Sequence, residues 1–196
     1  HIVCIVDDDE AIRESLRLLL YASGLQSYAY ESADVFLADE NSPVFDCMLL
    51  DIRMPGTDGL ELFKILARRR VPYPVIFITG HGDIPLAVSA IKLGAYDFLT
   101  KPFQEGELIG KVRAAISHYR STRQQLIELQ NMQARLDSCT PRERDVLRLL
   151  AKGLPNKGIA ETLGISPRTV EIHRAHVMDK MSADSLPALV RMIATL

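Results

Sequence analysis

Short apolar runs and helical stretches alternate through the front half of the chain. Positions 3–6 are apolar without interruption. Ala11, Ile12, Leu16, Leu19 and Leu20 then recur at the three- and four-residue spacing of one helix face, and Gly24 stops them. The same alternation returns three times. The run 47–50 is followed by Leu60, Leu62, Phe63 and Leu66, the run 74–78 by Ile84, Ala87, Val88 and Ile91, and 95–99 forms a further run. Positions 25–30 add another strand, and Ser32 is placed to cap a helix running through Phe36. Buried strands that alternate with helices predict a doubly wound parallel sheet covered on both faces. Five such β/α units fit within residues 1–118.

The pattern then changes. From 107 to 136 there is no Pro, and no Gly after Gly110; Ile109, Val112, Ile116, Tyr119, Arg123 and Leu126 step by three and four, and Leu129, Met132 and Leu136 continue after a phase change. This predicts one helix about 45 Å long at ~1.5 Å per residue, closing the first domain and continuing as a linker over 119–138. Thr140-Pro141-Arg142-Glu143 reads as a capping box with Pro at the first helical position. Helices are predicted at 141–152, 156–163 and 167–181, with a last one from near Ser185 to the C-terminus. Gly164 ends one helix and Ser166 caps the next, which is the joint of a helix–turn–helix. The expected organisation is an α/β domain over 1–118, a helical linker over 119–138 and an all-α helix–turn–helix domain over 139–196.

Composition narrows the classes. A hydrophobic fraction of 47% and a charged fraction of 24% exclude bulk disorder. No uninterrupted run of about 18 apolar residues predicts a membrane span. The chain opens on a strand-like segment without a secretory pattern, and Cys4, Cys47 and Cys139 are an odd, scattered set without zinc spacing; both suit reduced thiols in a cytoplasmic protein. The absence of Trp argues against an aromatic platform for single strands. The net charge of −2 is unevenly laid out. Residues 1–104 carry 15 Asp/Glu against 9 Lys/Arg, 105–138 carry 4 against 5, and 139–196 carry 6 against 9, with His173 and His176 besides. An acidic front and a mildly basic tail point to different partners for the two parts.

The candidate chemistry lies at strand ends. Asp7, Asp8 and Asp9 follow the first strand, Asp51 follows another, Thr79 ends a third and Lys101 follows a fourth. In an open α/β sheet the carboxyl ends of the strands face the ligand crevice. Carboxylates packed there repel one another, and a hard cation with oxygen ligands, Mg²⁺ or Mn²⁺, relieves them. A carboxylate beside such an ion, with a hydroxyl and an ammonium for the equatorial oxygens, is equipped for phosphoryl transfer onto the carboxylate itself. Asp8 or Asp9 can alternatively serve as a plain helix cap.

Those residues carry a resemblance. Val6-Asp7-Asp8-Asp9, Leu50-Asp51-Ile52-Arg53-Met54-Pro55-Gly56, Thr79-Gly80-His81-Gly82 and Lys101-Pro102-Phe103 resemble the receiver domain of two-component response regulators. Thr140-Pro141-Arg142-Glu143, Gly153-Leu154-Pro155-Asn156-Lys157 and the run from Ile165 to His173 resemble the LuxR/NarL-type DNA-binding domain, and both halves are most similar to the FixJ-like subgroup. The resemblance implies Asp51 as phosphoacceptor, with Asp7, Asp8, Asp51 and the backbone carbonyl of Arg53 around Mg²⁺. It implies Thr79 and Lys101 as phosphoryl-binding groups, Phe98 as the aromatic switch and a cis Lys101–Pro102 bond. The implied partners are a sensor histidine kinase, double-stranded DNA, a second copy on phosphorylation and RNA polymerase, with no membrane. The implied role is a regulator of transcription, not an enzyme on other substrates.

Two other functions fit parts of the pattern. An aspartyl-phosphate phosphatase of the haloacid-dehalogenase type wants an acid two residues after its nucleophile, where this chain has Arg53, and it wants a cap domain. An adaptor whose tail binds protein is countered by Asn156, Arg168 and Thr169 at helix starts, which suit phosphate contacts, and Lys157 is a further expected DNA contact. At ~100° per residue, Val170, Val177 and Met181 form the buried stripe of the 167–181 helix. Arg168, Ile172, Ala175 and Asp179 lie opposite, with Thr169 and His176 on one flank and Glu171 on the other. Asp179 is too far along and of the wrong charge, so Arg168, Thr169, Glu171, Ile172 and Ala175 are the expected groove-facing residues. Ile172 suits a thymine methyl and Glu171 a cytosine amino group. Many family members carry Lys where Glu171 stands, so their base preference does not transfer. Arg174 falls near the buried stripe and must snorkel or reach a phosphate.

Overall fold

The computed structural model describes residues 1–69, 71, 73–80 and 84–194. It divides into two compact units, His1–Thr122 and Arg123–Leu196. The first begins with β1 (Ile2–Val6), α1 (Glu10–Ala22), β2 (Gln26–Tyr30), α2 (Ala33–Ala38), β3 (Cys47–Asp51), α3 (Gly59–Arg68), β4 (Val75–Thr79), α4 (Ile84–Lys92) and β5 (Asp97–Thr100). The strands form one parallel sheet in the order β2-β1-β3-β4-β5.

Period-two alternation sorts the strand residues onto two cores. Cys4, Val6, Met48, Leu50 and Phe77 point to one face, where Ala33, Phe36, Leu62, Phe63 and Ala90 cover them. Val3, Ile5, Cys47, Leu49, Ile76 and Ile78 point to the other, covered by Leu16 and Leu20 of α1 and by Leu108, Val112, Ala115 and Ile116. Those last four lie on α5 (Glu105–Ser138), a single helix of 34 residues. Later on α5, Leu126, Ile127 and Leu129 are exposed.

Helix starts follow the expected cap chemistry. Ser32 accepts from Val35 N–H, and Asp58 from Glu61 N–H. The last strand differs from expectation. The run 95–99 predicted a strand from Ala95, but β5 starts at Asp97, because Gly94 turns at a φ of 101° and the Ala95 N–H bonds back to the Ala90 carbonyl. Apolar character alone does not separate the exit turn of α4 from the strand after it. The expected element at 83–93 is α4, and Asp83 lies outside the described residues.

The second unit contains α6 (Pro141–Ala151), α7 (Asn156–Leu163), α8 (Pro167–Lys180) and α9 (Leu186–Ala194). Thr140 and Glu143 form the reciprocal capping box. Gly164 closes α7 at a φ of 67°, where a side chain is disfavoured, and Ser166 caps α8 by accepting from Thr169 N–H. Val170, Val177 and Met181 are fully buried, as the helical wheel requires, and join Val146, Leu150, Ile159 and Leu189 in one core. The predicted last helix is α9, and positions 195–196 lie outside the described residues.

Candidate functional site

At the carboxyl edge of the sheet, β1 and β3 pair side by side, and their chains leave toward helices on opposite faces. The crevice at such a divergence is where ligands bind in open α/β folds. Asp7 follows β1 and Asp51 ends β3. Both are buried, at 1% and 7% exposure.

Lys101, just beyond β5, bridges them. Its Nζ donates to Asp7 Oδ2 at 2.9 Å and to Asp51 Oδ1 at 2.6 Å. The Lys101 backbone N–H donates to the Thr79 carbonyl at 2.7 Å, which ties the ammonium to the end of β4. The Lys101–Pro102 peptide is cis. The other carboxylate oxygens are also engaged: Asp7 Oδ1 accepts from Asp9 N–H at 2.9 Å and Asp51 Oδ2 from Arg53 N–H at 2.7 Å. Burial pushes the Asp51 carboxyl above the ordinary carboxylate range, and the Asp7 charge adds to that, against the pull of Lys101. Burial lowers the Lys101 pKa, but its bonds to Asp51 and Asp7 outweigh burial and leave it above the ordinary lysine value.

The remaining predicted residues take distinct places. Asp9 caps α1, its Oδ1 accepting from Ala11 and Ile12 N–H, so it is the plain cap and Asp8 is left exposed at the rim. Thr79 is buried, and its Oγ1 donates to the Gly80 carbonyl at 2.8 Å. Phe98 pairs in register with Phe77 and is half-buried against the core that holds α3. His81 and Gly82 lie outside the described residues. One structural residue was missed by sequence reasoning. A Cβ built on Gly59 would sit 2.0 Å from the Asp51 carbonyl oxygen, so only glycine lets α3 start this close to the end of β3. Its signal was no more than a Gly at a helix start.

On the second unit, Arg168, Glu171, Ile172 and Ala175 line one shallow exposed surface of α8. Lys157 is exposed, and Thr169 is half-exposed with its hydroxyl hydrogen-bonded to Ser166. Asn156 accepts from Arg174 at 3.1 Å, so Arg174 is held by α7. Its nearness to the buried stripe was the available signal; its partner, far away in sequence, was not visible.

Residues 3–113 match the response regulator receiver domain family, and residues 137–193 match the bacterial regulatory proteins of the luxR family. The chain belongs to the two-component response regulators. It is 50% identical to the transcriptional regulatory protein FixJ of Azorhizobium caulinodans, covering 97% of this chain and 90% of that protein. The FixJ of Bradyrhizobium diazoefficiens is 44% identical, covering 97% and 93%. Among solved structures, the response regulator StyR superposes with a TM-score of 0.88 at 38% identity, covering 100% of this chain and 98% of that one. This response regulator is therefore a transcription regulator that joins a receiver to a LuxR-type DNA-binding domain, as its motifs implied. Among the described residues no helix is long and apolar enough to cross a membrane.

Proposed function

We propose that Asp51 is the phosphoacceptor through which a sensor histidine kinase controls DNA binding by this response regulator. The observation that carries the reading is the Lys101 bridge between two buried carboxylates at the divergence of β1 and β3. An Asp51 oxygen attacks phosphorus of a phosphohistidine. The new P–O bond forms as the P–N bond breaks, and the imidazole leaves with the bonding pair, so Asp51 becomes an acyl phosphate. Lys101 then exchanges an Asp51 contact for a phosphoryl oxygen, and the Thr79 hydroxyl turns from the Gly80 carbonyl toward another.

The donor set fits a hard divalent ion: buried oxygens of Asp7 and Asp51, with Asp8 and the Arg53 carbonyl next in the chain. Asp7 and Asp51 share the Lys101 ammonium as a cationic partner. Mg²⁺ or Mn²⁺, held by those groups, would supply charge neutralisation on the transferred phosphoryl.

Downstream, Thr79 and Phe98 move together and reshape the surface of α4 and β5, which then forms a homodimer or frees the second domain. The working division is receiver 1–118, helical linker 119–138 and DNA-binding domain 139–196, acting in the cytoplasm beside RNA polymerase. Arg168, Thr169, Glu171, Ile172 and Ala175 enter the major groove, while Asn156 and Lys157 hold the phosphate backbone. Exposure of Ile172 at 51%, on the face shared with Arg168 and Glu171, supports that assignment. Incubation with acetyl phosphate and Mg²⁺, followed by intact-mass measurement, tests the acceptor. Wild type gains one phosphoryl group and Asp51→Asn gains none; undiminished labelling of Asp51→Asn rejects the assignment.

A further inference from the structure

Glu143 on α6 and His173 and His176 on α8 bring a carboxylate and two imidazoles together, with ligand atoms that all lie within 4.8 Å of one another. Glu143 is buried, and its two oxygens face different neighbours. Oε2 accepts from Lys180 Nζ at 2.6 Å and from Thr140 N–H at 2.7 Å. Oε1 lies 3.5 Å from His176 Nδ1. His173 Nδ1 is shut off from solvent and has no hydrogen-bond partner among the described residues. Buried polar atoms are nearly always satisfied, so a histidine with an orphaned ring nitrogen, clustered with a carboxylate and a second imidazole, points to a missing ligand.

We infer that Glu143, His173 and His176 form a binding site for a first-row transition cation of the Zn²⁺ class. Two imidazole nitrogens with one carboxylate oxygen suit Zn²⁺ and its neighbours, whereas Mg²⁺ and Ca²⁺ take oxygen donors. The two histidines are three residues apart on one helix, neighbouring positions on its surface. Lys180 bonds to Oε2, while Oε1 is the oxygen that faces His176. Lys180 and the Thr140 N–H hold Oε2 and orient the carboxylate, as groups behind metal ligands commonly do. The Lys180 charge also opposes a cation, which makes the bound ion exchangeable. Three protein ligands leave a fourth position for water or an incoming donor. The ion would fasten α6 to α8, the helix that carries Arg168, Glu171, Ile172 and Ala175. No step of phosphoryl transfer involves these groups.

The test uses the full chain, stripped with EDTA and dialysed, titrated with Zn²⁺ against a chromophoric chelator. Wild type is expected to bind Zn²⁺ at this site. His176→Ala, a change at an exposed side chain, weakens that binding about tenfold or more while the far-UV spectrum stays unchanged. His118→Ala, on the first unit, leaves it intact. Co²⁺ in place of Zn²⁺ gives the visible absorption of a four-coordinate ion without thiolate charge transfer, which excludes capture by Cys4, Cys47 or Cys139. Absence of binding at tens of micromolar Zn²⁺, or equal affinity in His176→Ala, overturns the site, as does a thiolate signature.

Discussion

Replacing Lys101 by Met removes the ammonium between Asp7 and Asp51 while keeping a side chain of similar length and apolar character. Two hydrogen bonds to charged groups are lost, at 2.6 and 2.9 Å, each contributing ~1.5–3 kcal/mol. With EDTA present to remove divalent ions, two carboxylates then share a buried pocket without a counter-charge. Removing one partner of such a set costs ~3–5 kcal/mol. Proton uptake limits the cost, since one pKa unit corresponds to ~1.4 kcal/mol. Asp51 already sits above the ordinary carboxylate range through burial, and loss of Lys101 raises it further. A raised folded-state pKa contributes stability below the unfolded value and loses it as pH rises through the folded value. Lys101→Met should therefore be destabilised by ~3 kcal/mol at alkaline pH, with a deficit that shrinks as the solution is acidified toward the ordinary aspartate range. Urea titration followed by tyrosine fluorescence is a clean assay. Trp is absent, and all 6 tyrosines lie within His1–Thr122, so the signal reports that first unit alone. A deficit below ~1 kcal/mol, or one that does not change with pH, would refute the view that Lys101 neutralises this pair.

Gly59→Ala drives a Cβ against the Asp51 carbonyl; we expect a loss of ~1–3 kcal/mol in the same tyrosine titration and slower acetyl-phosphate labelling, and unchanged stability contradicts the close approach. Glu143 is held at a pKa of about 2, first by the hydrogen bond from Lys180 and then by the Thr140 N–H. A lowered folded-state pKa gives stability that is present above the unfolded value and lost as pH falls toward 2, so with EDTA present, hydrogen-exchange protection of α6 and α8 should decline over that range in wild type and be lower and flatter in Glu143→Gln. Glu171→Ala should relax preference at one base pair of each half-site by ~1–3 kcal/mol, read by selection of bound sequences. Lys157→Ala should weaken all sequences alike and reduce the salt dependence; an unaltered consensus for Glu171→Ala removes the base-reading role.

The fold was legible where local pattern decides it. Uninterrupted apolar runs at 3–6 and 47–50 produced buried parallel strands, and the caps at Ser32, Thr140 and Ser166 with the stop at Gly164 produced helix ends close to their expected places. The start of the strand at 95–99 was placed two residues early because Ala95 and Tyr96 are as apolar as a strand, yet Ala95 still bonds back to α4 and β5 begins only at Asp97. Within the acidic run, spacing could not separate Asp8, which stays exposed, from Asp9, which caps α1; that depends on where the first helix starts. Contacts between elements far apart in sequence were beyond local reading. Lys101 meets Asp7 across 94 positions, Lys180 meets Glu143 across 37, and Arg174 meets Asn156 across 18. Each follows from packing of whole elements, which no periodicity encodes.

The central claim is that phosphorylation of Asp51 sets DNA affinity. The most direct measurement is fluorescence anisotropy of the full chain on fragments selected from random DNA, at one fixed salt concentration because phosphate contacts make affinity salt-dependent. Titrations are run with and without acetyl phosphate and Mg²⁺. The account predicts tighter binding for phosphorylated wild type and no response from Asp51→Asn. Equal affinities for phosphorylated and unphosphorylated wild type, or the same gain in Asp51→Asn, would contradict it.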